Sequence, residues 1–323
     1  MSSVEFQEAA LETITLKVPA KLNLYLQAGL LREDGYHDMT TVYQAISLYD
    51  TLKISAIQVQ DTDLQSFTMA VMGVDSDRIP ADTENLVIKA VQRLSDYLGT
   101  QPKPKLHFEL VKAIPSQAGL GGGSADAAAA LIGCNILWQA GVCEEDLMNV
   151  GAQIGEDVPF FIKGMVALGM GHKTPLVFLD TAVTSTWYWV LGILHAGLST
   201  KDVFGRFEEH VQRRGFDELA YRTKHEACLQ AAWGSVPPQI LAAALANDLE
   251  GPAMELLPQI SLVLQAGKAA GALVSLMAGA GSTCAFLATD QGHARSLAAK
   301  LQEEKLFRDV ISVVGPVKGV RVS

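Results

Sequence analysis

The stretch Pro115-Ser-Gln-Ala-Gly-Leu-Gly-Gly-Gly-Ser-Ala125 decides the fold prediction, because it places four glycines in five positions directly before an Ala-rich segment, 124–141, of helix-forming composition. Glycines let the backbone bend where other residues cannot, and they let a ligand approach the main chain closely. A glycine-rich turn before a helix aims free N–H groups at one point, a geometry that binds phosphate. The alternative, a tightly packed turn, would need fewer glycines. We therefore predict a phosphate-binding loop.

Two better-known phosphate-binding loops do not fit this stretch. A Walker A loop requires a lysine directly before the Ser or Thr, and Gly123 precedes Ser124 here. A dinucleotide-binding fingerprint that begins at Gly119 needs a third glycine where Ser124 stands. The loop therefore belongs to another class of phosphate binder.

Composition indicates a globular chain that does not bind nucleic acid. The 323 residues suffice for two domains, 49% of them are hydrophobic, and 7% are aromatic, which suits a packed α/β or α+β core. The formal net charge of −10 argues against broad attraction to DNA, RNA or anionic lipid. Nucleotides remain possible ligands, because backbone amides and a metal ion can hold their phosphates.

Cysteine spacing and hydropathy predict a cytoplasmic protein. The four cysteines are far apart and form no CxxC pair, so two disulfides are formally possible, but reduced thiols are the simpler interpretation. The acidic first residues do not resemble a signal peptide. Two long uncharged runs, 181–200 and 269–289, contain Gly, Ser and Thr, and they fit buried strands with turns better than membrane spans.

The pattern of elements predicts an α+β protein of two domains, 1–180 and 181–323, that share a cleft. We expect two strands around Pro19, a turn at 34–38 and further strands after it. The later segments are predicted as helix 83–99, strand 103–115, helices 124–141 and 144–155, a strand-rich stretch 158–193, a helical stretch 200–265 and a final αβ pattern.

The glycine-rich stretch resembles the phosphate-binding motif of the GHMP kinases. Further blocks resemble, in order, those of one branch of that family, the kinases whose acceptor is 4-diphosphocytidyl-2-C-methyl-D-erythritol. These blocks are VPAKLNLYL (18–26), DGYH (34–37), GEDVPFF (155–161), GLST (197–200), NDLE (247–250) and AGAGSTCAF (278–286). The chain departs from the family where Ala278 and Ala280 replace serines, which puts a hydroxyl contact there in doubt but keeps Gly279 and Gly281.

The resemblance implies a two-domain α+β fold with the active site in the cleft between the domains and ATP in the amino-terminal one. It implies transfer of the γ-phosphate of ATP to the 2-hydroxyl of the acceptor, with Mg²⁺, in the non-mevalonate route to isoprenoid precursors. We expect a monomer or homodimer. Two alternatives remain open: another GHMP kinase that acts on mevalonate, homoserine or a sugar, and a GHMP-fold protein that binds nucleotide without catalysis.

The resemblance also assigns site residues. Lys21 and Asp157 match the catalytic pair. The ATP-binding set is Pro115, Gly119, Leu120, Gly121, Gly122, Gly123, Ser124 and Ala125. The acceptor-binding set is Asn23, Tyr36, His37, Thr200 and Phe204. Metal ligands are left unassigned.

These assignments make chemical sense. Phosphoryl transfer depends on positioning and on charge stabilisation, so Asp157 is suited to accept the proton of the acceptor and Lys21 to offset the developing charge. Tyr36 and Phe204 are suited to stack on the cytosine ring, and His37 to read its edge. The NDLE block (Asn247, Asp248 and Glu250) is predicted to be structural in preference to catalytic, and Asp126 to be a helix N-terminal charge in preference to a metal ligand.

Overall fold

A computed structural model describes residues 12–33, 35, 37–57, 67–99, 105–171, 175–179, 185–215, 226–232, 234 and 236–323. The strands are β1 (Thr13–Leu31), β2 (His37–Ile57), β3 (Phe67–Gly73), β4 (Lys105–Lys112), β5 (Val166–Met170), β6 (Val177–Phe178), β7 (Trp187–Ile193), β8 (Ala246–Asn247), β9 (Val274–Met277), β10 (Cys284–Ala288), β11 (Asp309–Gly315) and β12 (Arg321–Val322). The helices are α1 (Leu86–Leu98), α2 (Gly122–Leu137), α3 (Glu144–Ala152), α4 (Val158–Lys163), α5 (Thr200–Arg214), α6 (Pro238–Ala244), α7 (Glu250–Leu256), α8 (Gln259–Ala270) and α9 (Gln291–Glu303). Residues 226–232 are also helical.

The described strands form two sheets. The larger has the order β12-β1-β2-β4-β3, with β5 joining β2 to β6 and with β8 pairing with β1. The smaller has the order β11-β7-β10-β9. Helices and mainly antiparallel strands thus make up the predicted α+β class. The domain boundary near residue 180 stays a prediction, although β8 and β12, which come after it, pair with β1 of the first sheet.

Strand β1 corrects the prediction of two strands separated by Pro19. It is one strand that pairs with β2 from Thr13 to Leu31, and its register shifts between Pro19 and Ala20. Proline cannot donate a hydrogen bond to a neighbouring strand, and a local irregularity accommodates it without ending the pairing. The strand therefore carries Lys21 within a continuous, buried sheet.

Local sequence signals explain where the helices around the cleft begin and end. The Asn85 side chain accepts a hydrogen bond from the backbone N–H of Val87 and caps α1, and Gly99 ends it in the left-handed region. Residues 158–163 were predicted to belong to a strand-rich stretch, and this was wrong. They form α4, whose first turn contains Pro159, a residue that favours helix starts.

Two hydrophobic cores support the sheets. The larger packs the first sheet against α1 to α4 and extends to β7, β10 and β11 of the second sheet, and the second core is built around α5, α7, α8, α9 and β10. All four cysteines are free thiols, as predicted. In the part of the chain that the structure describes, no helix has the length and apolar character to span a membrane.

Candidate active site

A cavity of about 1140 Å³ opens where the glycine-rich loop, β1, the start of α4 and the start of α5 meet. Ligand pockets commonly measure about 300–1,000 Å³, so this one has room for more than one substrate. The predicted site residues that line it are Lys21, Pro115, Gly119, Leu120, Gly121, Gly122, Gly123, Ser124, Asp157, Thr200 and Phe204. Segments from both halves of the chain thus meet at a single site.

Two positions of the loop require glycine. Gly119 and Gly121 have φ angles of 77° and 74°, in the left-handed region. A Cβ at Gly119 would collide with the carbonyl oxygen of Ala278, and one at Gly121 would lie 2.6 Å from Cζ of Phe161. The loop is fixed to β1 because the backbone N–H of Lys21 donates to the carbonyl of Leu120 at 3.1 Å.

The loop leads directly into α2, whose first residues are glycines. Gly122 and Gly123 form its first turn and line the cavity, so the positive end of the helix dipole is directed at this space. Ala125, predicted to bind ATP, does not line the cavity. Its side chain is buried in the core and its N–H donates to the carbonyl of Gly121, so it supports the helix instead.

The predicted catalytic pair lies beside this loop. Lys21 is almost fully buried, and its Nζ donates to Oδ1 of Asn23 at 2.5 Å. Burial lowers the pKa of Lys21, and the negative charge of Asp157 partly opposes that change. Asp157, at the start of α4, accepts a hydrogen bond from the hydroxyl of Tyr43 at 2.8 Å.

Tyr43 is a site residue that the sequence did not reveal. Its ring stacks on Phe160, with centroids 5.0 Å apart and planes inclined by 28°. Burial raises the pKa of Tyr43 well above its usual value, and the charges of Asp157 and Glu156 add to this. Tyr43 therefore remains a hydrogen-bond donor that orients the carboxylate of Asp157. In the sequence it stands in the strand region predicted after the turn at 34–38, and no motif marks it.

Asn23 orients Lys21 in this structure. Its Oδ1 accepts from Lys21, and its Nδ2 donates to Oγ1 of Thr41 at 2.8 Å. Thr41 in turn donates to the carbonyl of Tyr25 at 2.9 Å. Asn23 does not line the cavity, and both ends of its amide are engaged in this chain of hydrogen bonds, so its role in acceptor binding stays a prediction.

The other predicted acceptor residues that the structure describes meet at the first turns of α5. Thr200 begins α5, and Phe204 follows one turn later, with its ring stacked on His37 at a centroid distance of 5.1 Å. Nδ1 of His37 lies 2.8 Å from the carbonyl oxygen of Gly29, and its Nε2 lies 3.2 Å from Oε1 of Glu208. His37 is buried behind Phe204 and does not itself line the cavity. Tyr36 lies outside the described residues.

A second glycine-containing turn, 278–281, closes the cavity against the first loop. Nδ2 of Asn247 donates to the carbonyls of Met277 and Gly279, both at 2.8 Å. A carboxylate oxygen of Glu250 accepts from the backbone N–H of Met277 at 3.0 Å. The NDLE block thus makes structural contacts, in agreement with its prediction. These contacts involve backbone groups of Met277 and Gly279, so they do not require the serine hydroxyls that Ala278 and Ala280 lack.

The chain is similar throughout to known kinases. A 4-diphosphocytidyl-2-C-methyl-D-erythritol kinase of Mycolicibacterium smegmatis is 39% identical to it over 310 residues, which cover 96% of this chain and 92% of the relative. A kinase of the same name from Thermobifida fusca is also 39% identical, over 96% of this chain and 98% of the relative. This chain belongs to the 4-diphosphocytidyl-2-C-methyl-D-erythritol kinase family.

Domain models and solved structures agree with membership of this kinase family. The models for the GHMP kinases N terminal domain and the GHMP kinases C terminal region match residues 85–165 and 238–305. The crystal structure of a 4-(cytidine 5'-diphospho)-2C-methyl-D-erythritol kinase has a TM-score of 0.68 and 30% identity, and the match covers 94% of this chain and 99% of that one. A homoserine kinase from Cytophaga hutchinsonii, with a TM-score of 0.73 but 19% identity, shows the shared fold alone. The predicted membership of the GHMP kinase family and the predicted α+β fold are confirmed.

Several cavity residues were not predicted from the sequence. Asn85 caps α1 and also lines the cavity, and Lys112 and Asp126 lie beneath the glycine-rich loop. The side of the cavity formed by α3 contributes Glu145, Met148, Asn149 and Ala152. These residues carry no motif that a single sequence reveals, because they are brought to the loop by the packing of separate elements.

Proposed function

We propose that this chain transfers the γ-phosphate of ATP to the 2-hydroxyl of 4-diphosphocytidyl-2-C-methyl-D-erythritol and yields the 2-phosphate and ADP. The observation that carries the proposal is the single cavity that joins a glycine-rich helix start to Lys21, Asp157 and the α5 residues Thr200 and Phe204. The similarity to kinases of that name, at 39% identity over 96% of the chain, supports this acceptor over others.

In the proposed reaction, the ATP phosphates lie against Gly121, Gly122, Gly123 and Ser124 at the start of α2. Asp157, held by Tyr43, accepts the proton of the acceptor hydroxyl as the oxygen attacks the γ-phosphorus. Lys21 provides positive charge beside the transferring phosphoryl group. Asn23 keeps the ammonium of Lys21 in place through the 2.5 Å hydrogen bond.

Magnesium is proposed to arrive with the nucleotide. Among the described residues, no group of three or more His, Cys, Asp or Glu side chains is placed to hold a metal ion. Mg²⁺ usually keeps several waters and binds through substrate phosphates, where it neutralises their charge. This chain would then contribute the shape of the loop and not a dedicated metal cage.

The acceptor is proposed to extend from Asp157 towards α5. Its base would stack on the cavity face of Phe204 and on Tyr36, and His37 would read the cytosine edge. In this structure His37 stacks on Phe204, contacts Glu208 and does not line the cavity, so that contact requires His37 to move and to exchange Glu208 for the base. The predictions of a cytoplasmic location, of a monomer or homodimer, and of no nucleic-acid partner stay predictions.

The function is tested by a panel of acceptors with ATP and Mg²⁺, in which ADP release is measured and each product is identified by mass. We expect turnover with the cytidine diphosphate-linked methylerythritol and little with mevalonate, homoserine or galactose. Preference for one of those acceptors would replace the proposed substrate. ATP bound without turnover on any acceptor would favour the non-catalytic alternative.

Gly123→Val is expected to raise the KM for ATP by about tenfold or more and to leave the fold intact. A Cβ at Gly123 would meet only Cδ1 of Leu86, at an ordinary 3.4 Å, yet the position lines the cavity where the phosphates are proposed to lie. The matched control is Gly292→Val in the exposed first turn of α9, which should leave the KM unchanged. Unchanged ATP affinity in folded Gly123→Val would contradict the proposed phosphate site.

Phe204→Ala is expected to weaken acceptor binding by about 1–3 kcal/mol, the scale of base–aromatic stacking. The acceptor KM should rise roughly 5- to 150-fold, while the KM for ATP changes little. Tyr97→Ala, which removes an exposed aromatic of α1, serves as the control. Steady-state kinetics decide the matter, and equal losses towards both substrates would point to general destabilisation and not to a base-binding role.

A further inference from the structure

Three buried charged residues meet beneath the glycine-rich loop. Lys112 is the last residue of β4, Asp50 lies in β2, and Asp126 lies in the first turns of α2. Nζ of Lys112 donates to Oδ2 of Asp126 at 2.6 Å and also to Oδ2 of Asp50. Each of the three side chains is at most 4% exposed. We call this set the buried triad.

The buried triad connects the chain on both sides of the loop. Oδ1 of Asp50 accepts the backbone N–H groups of Ala113 at 2.6 Å and Ile114 at 2.8 Å, directly before Pro115. On the other side, a Cβ at Gly122 would lie 3.1 Å from Nζ of Lys112, so the ammonium lies directly under the first turn of α2. The segment that enters the loop and the helix that leaves it are therefore held by one cation.

The charges of the buried triad do not balance if both acids are ionised. One ammonium faces two carboxylates, which leaves a net negative charge under a loop suited to phosphates. Oδ1 of Asp126 is buried and has no hydrogen-bond partner among the described residues. An ionised oxygen in that position would be costly, whereas a proton on Asp126 removes the surplus charge.

The direction of the pKa changes agrees with this charge count. Burial raises the pKa of Asp126 well above its usual range, Lys112 opposes the change, and Asp50 adds to it. Burial acts to lower the pKa of Lys112, but the charges of Asp126 and Asp50 outweigh it and raise that pKa. The charged groups that act on Asp126 are Lys112 on β4 and Asp50 on β2.

We propose that Lys112 is a positioning residue for nucleotide binding, and that it forms with Asp50 and a protonated Asp126 a charge-balanced brace that fixes the glycine-rich loop. The brace acts on the triphosphate through the loop backbone that it holds, and Lys112 and Asp126 also line the cavity. The inference rests on the proposed binding of ATP at this loop. It adds a positioning role for three residues that were not assigned to the ATP site from the sequence.

Lys112→Met tests the brace. Without the cation, two buried carboxylates lose their partner and the loop loses its link to α2. We expect the Kd and KM for ATP to rise by about tenfold or more, while the acceptor KM changes by less than about threefold. Lys53→Met is the matched control, because Lys53 and Glu109 form a half-exposed ion pair between the same two strands. Unchanged ATP affinity in folded Lys112→Met overturns the proposal.

Asp126→Asn and Asp126→Ala test the protonation. Asparagine is neutral, has the same shape and keeps an oxygen for Lys112, so ATP affinity should stay within about threefold of the parent protein. Alanine removes that hydrogen-bond acceptor and should lower ATP affinity by about fivefold or more. The infrared carbonyl band of a protonated carboxylic acid should be present in the parent protein at neutral pH and absent from Asp126→Asn.

The outcomes separate the brace from the proposed function. If Asp126→Asn lowers ATP affinity as much as Asp126→Ala does, the proposed charge-balanced brace is wrong. It is also wrong if the infrared band of the protonated carboxylic acid is missing from the parent protein. If Lys112→Met does not fold, as judged by thermal unfolding, the comparison of Asp126→Asn with Asp126→Ala still tests the brace. A parent protein that binds no ATP in calorimetry overturns both proposals, whereas normal ATP binding in every variant overturns the brace alone.

Discussion

Asp157→Asn is expected to lower kcat by about 10²–10⁴-fold, the range in which a positioned general base contributes to catalysis. Asparagine preserves the size of the side chain and an oxygen for the hydroxyl of Tyr43, which lies 2.8 Å from Oδ1 in the parent protein. It cannot accept the proton of the acceptor hydroxyl. ATP affinity, measured by calorimetry, should stay close to that of the parent protein.

The control for this variant is Asp96→Asn, the same change at a strongly exposed carboxylate on α1. It should leave kcat and both KM values within about twofold, the usual range for surface substitutions. A folded Asp157→Asn protein with near-normal turnover would show that Asp157 does not take the proton, and the assignment of the catalytic pair would have to change.

Lys21→Met should lower kcat by about 10²–10³-fold, the loss seen when one group that stabilises transition-state charge is removed. Methionine fills similar space but offers neither charge nor a donor to Asn23. Lys17→Met is the matched control, because Lys17 lies on the same strand and is exposed, whereas Lys21 is buried. An equal effect of both substitutions would indicate damage to β1 and not a catalytic loss.

The state of Lys21 also predicts a pH dependence. Burial lowers the pKa of Lys21 below that of an ordinary lysine, with Asp157 partly opposing. Because the protonated form is the proposed active form, kcat should fall as the pH rises through this lowered pKa, earlier than an ordinary lysine would allow. Lys21→Arg keeps its charge to higher pH, so the falling limb should move upward if that variant turns over. If the falling limb of the pH profile does not move in Lys21→Arg, the titrating group is not Lys21.

Elements with strong local signals were predicted well from the sequence, and elements set by packing were not. Helix α1 was recognised because its apolar spacing ends at Gly99. Helix α4 was missed, because an apolar run of six residues after a proline also fits a buried strand. The continuity of β1 through Pro19 depends on pairing with β2 and has no local signature.

The site shows the same division. Lys21, Asp157 and the glycine-rich loop stand in motifs, so resemblance supplied their proposed roles. Tyr43 binds Asp157 across a sequence separation of 114 residues, and Lys112 binds Asp50 across 62. Such pairs cannot be predicted from a single sequence, because the residues around one partner give no information about the position of the other. Asp126 was expected to be a simple helix-start charge, and the hydrogen bond that it accepts from Lys112 emerged only from the fold.

The pairing of β12 with β1 bears on how the chain is made. Lys17 and Leu16 pair with Arg321 and Val322, which lie far along the chain, so the sheet that carries Lys21 lacks this edge strand until that distant segment has been synthesised. Contacts between such distant residues slow folding, and an unpaired strand edge invites association with other chains. During synthesis, this edge of the sheet would remain unpaired until residues 321–322 have emerged. Nascent chains of this kinase should therefore depend on chaperones for longer than a protein whose strands pair in order of synthesis.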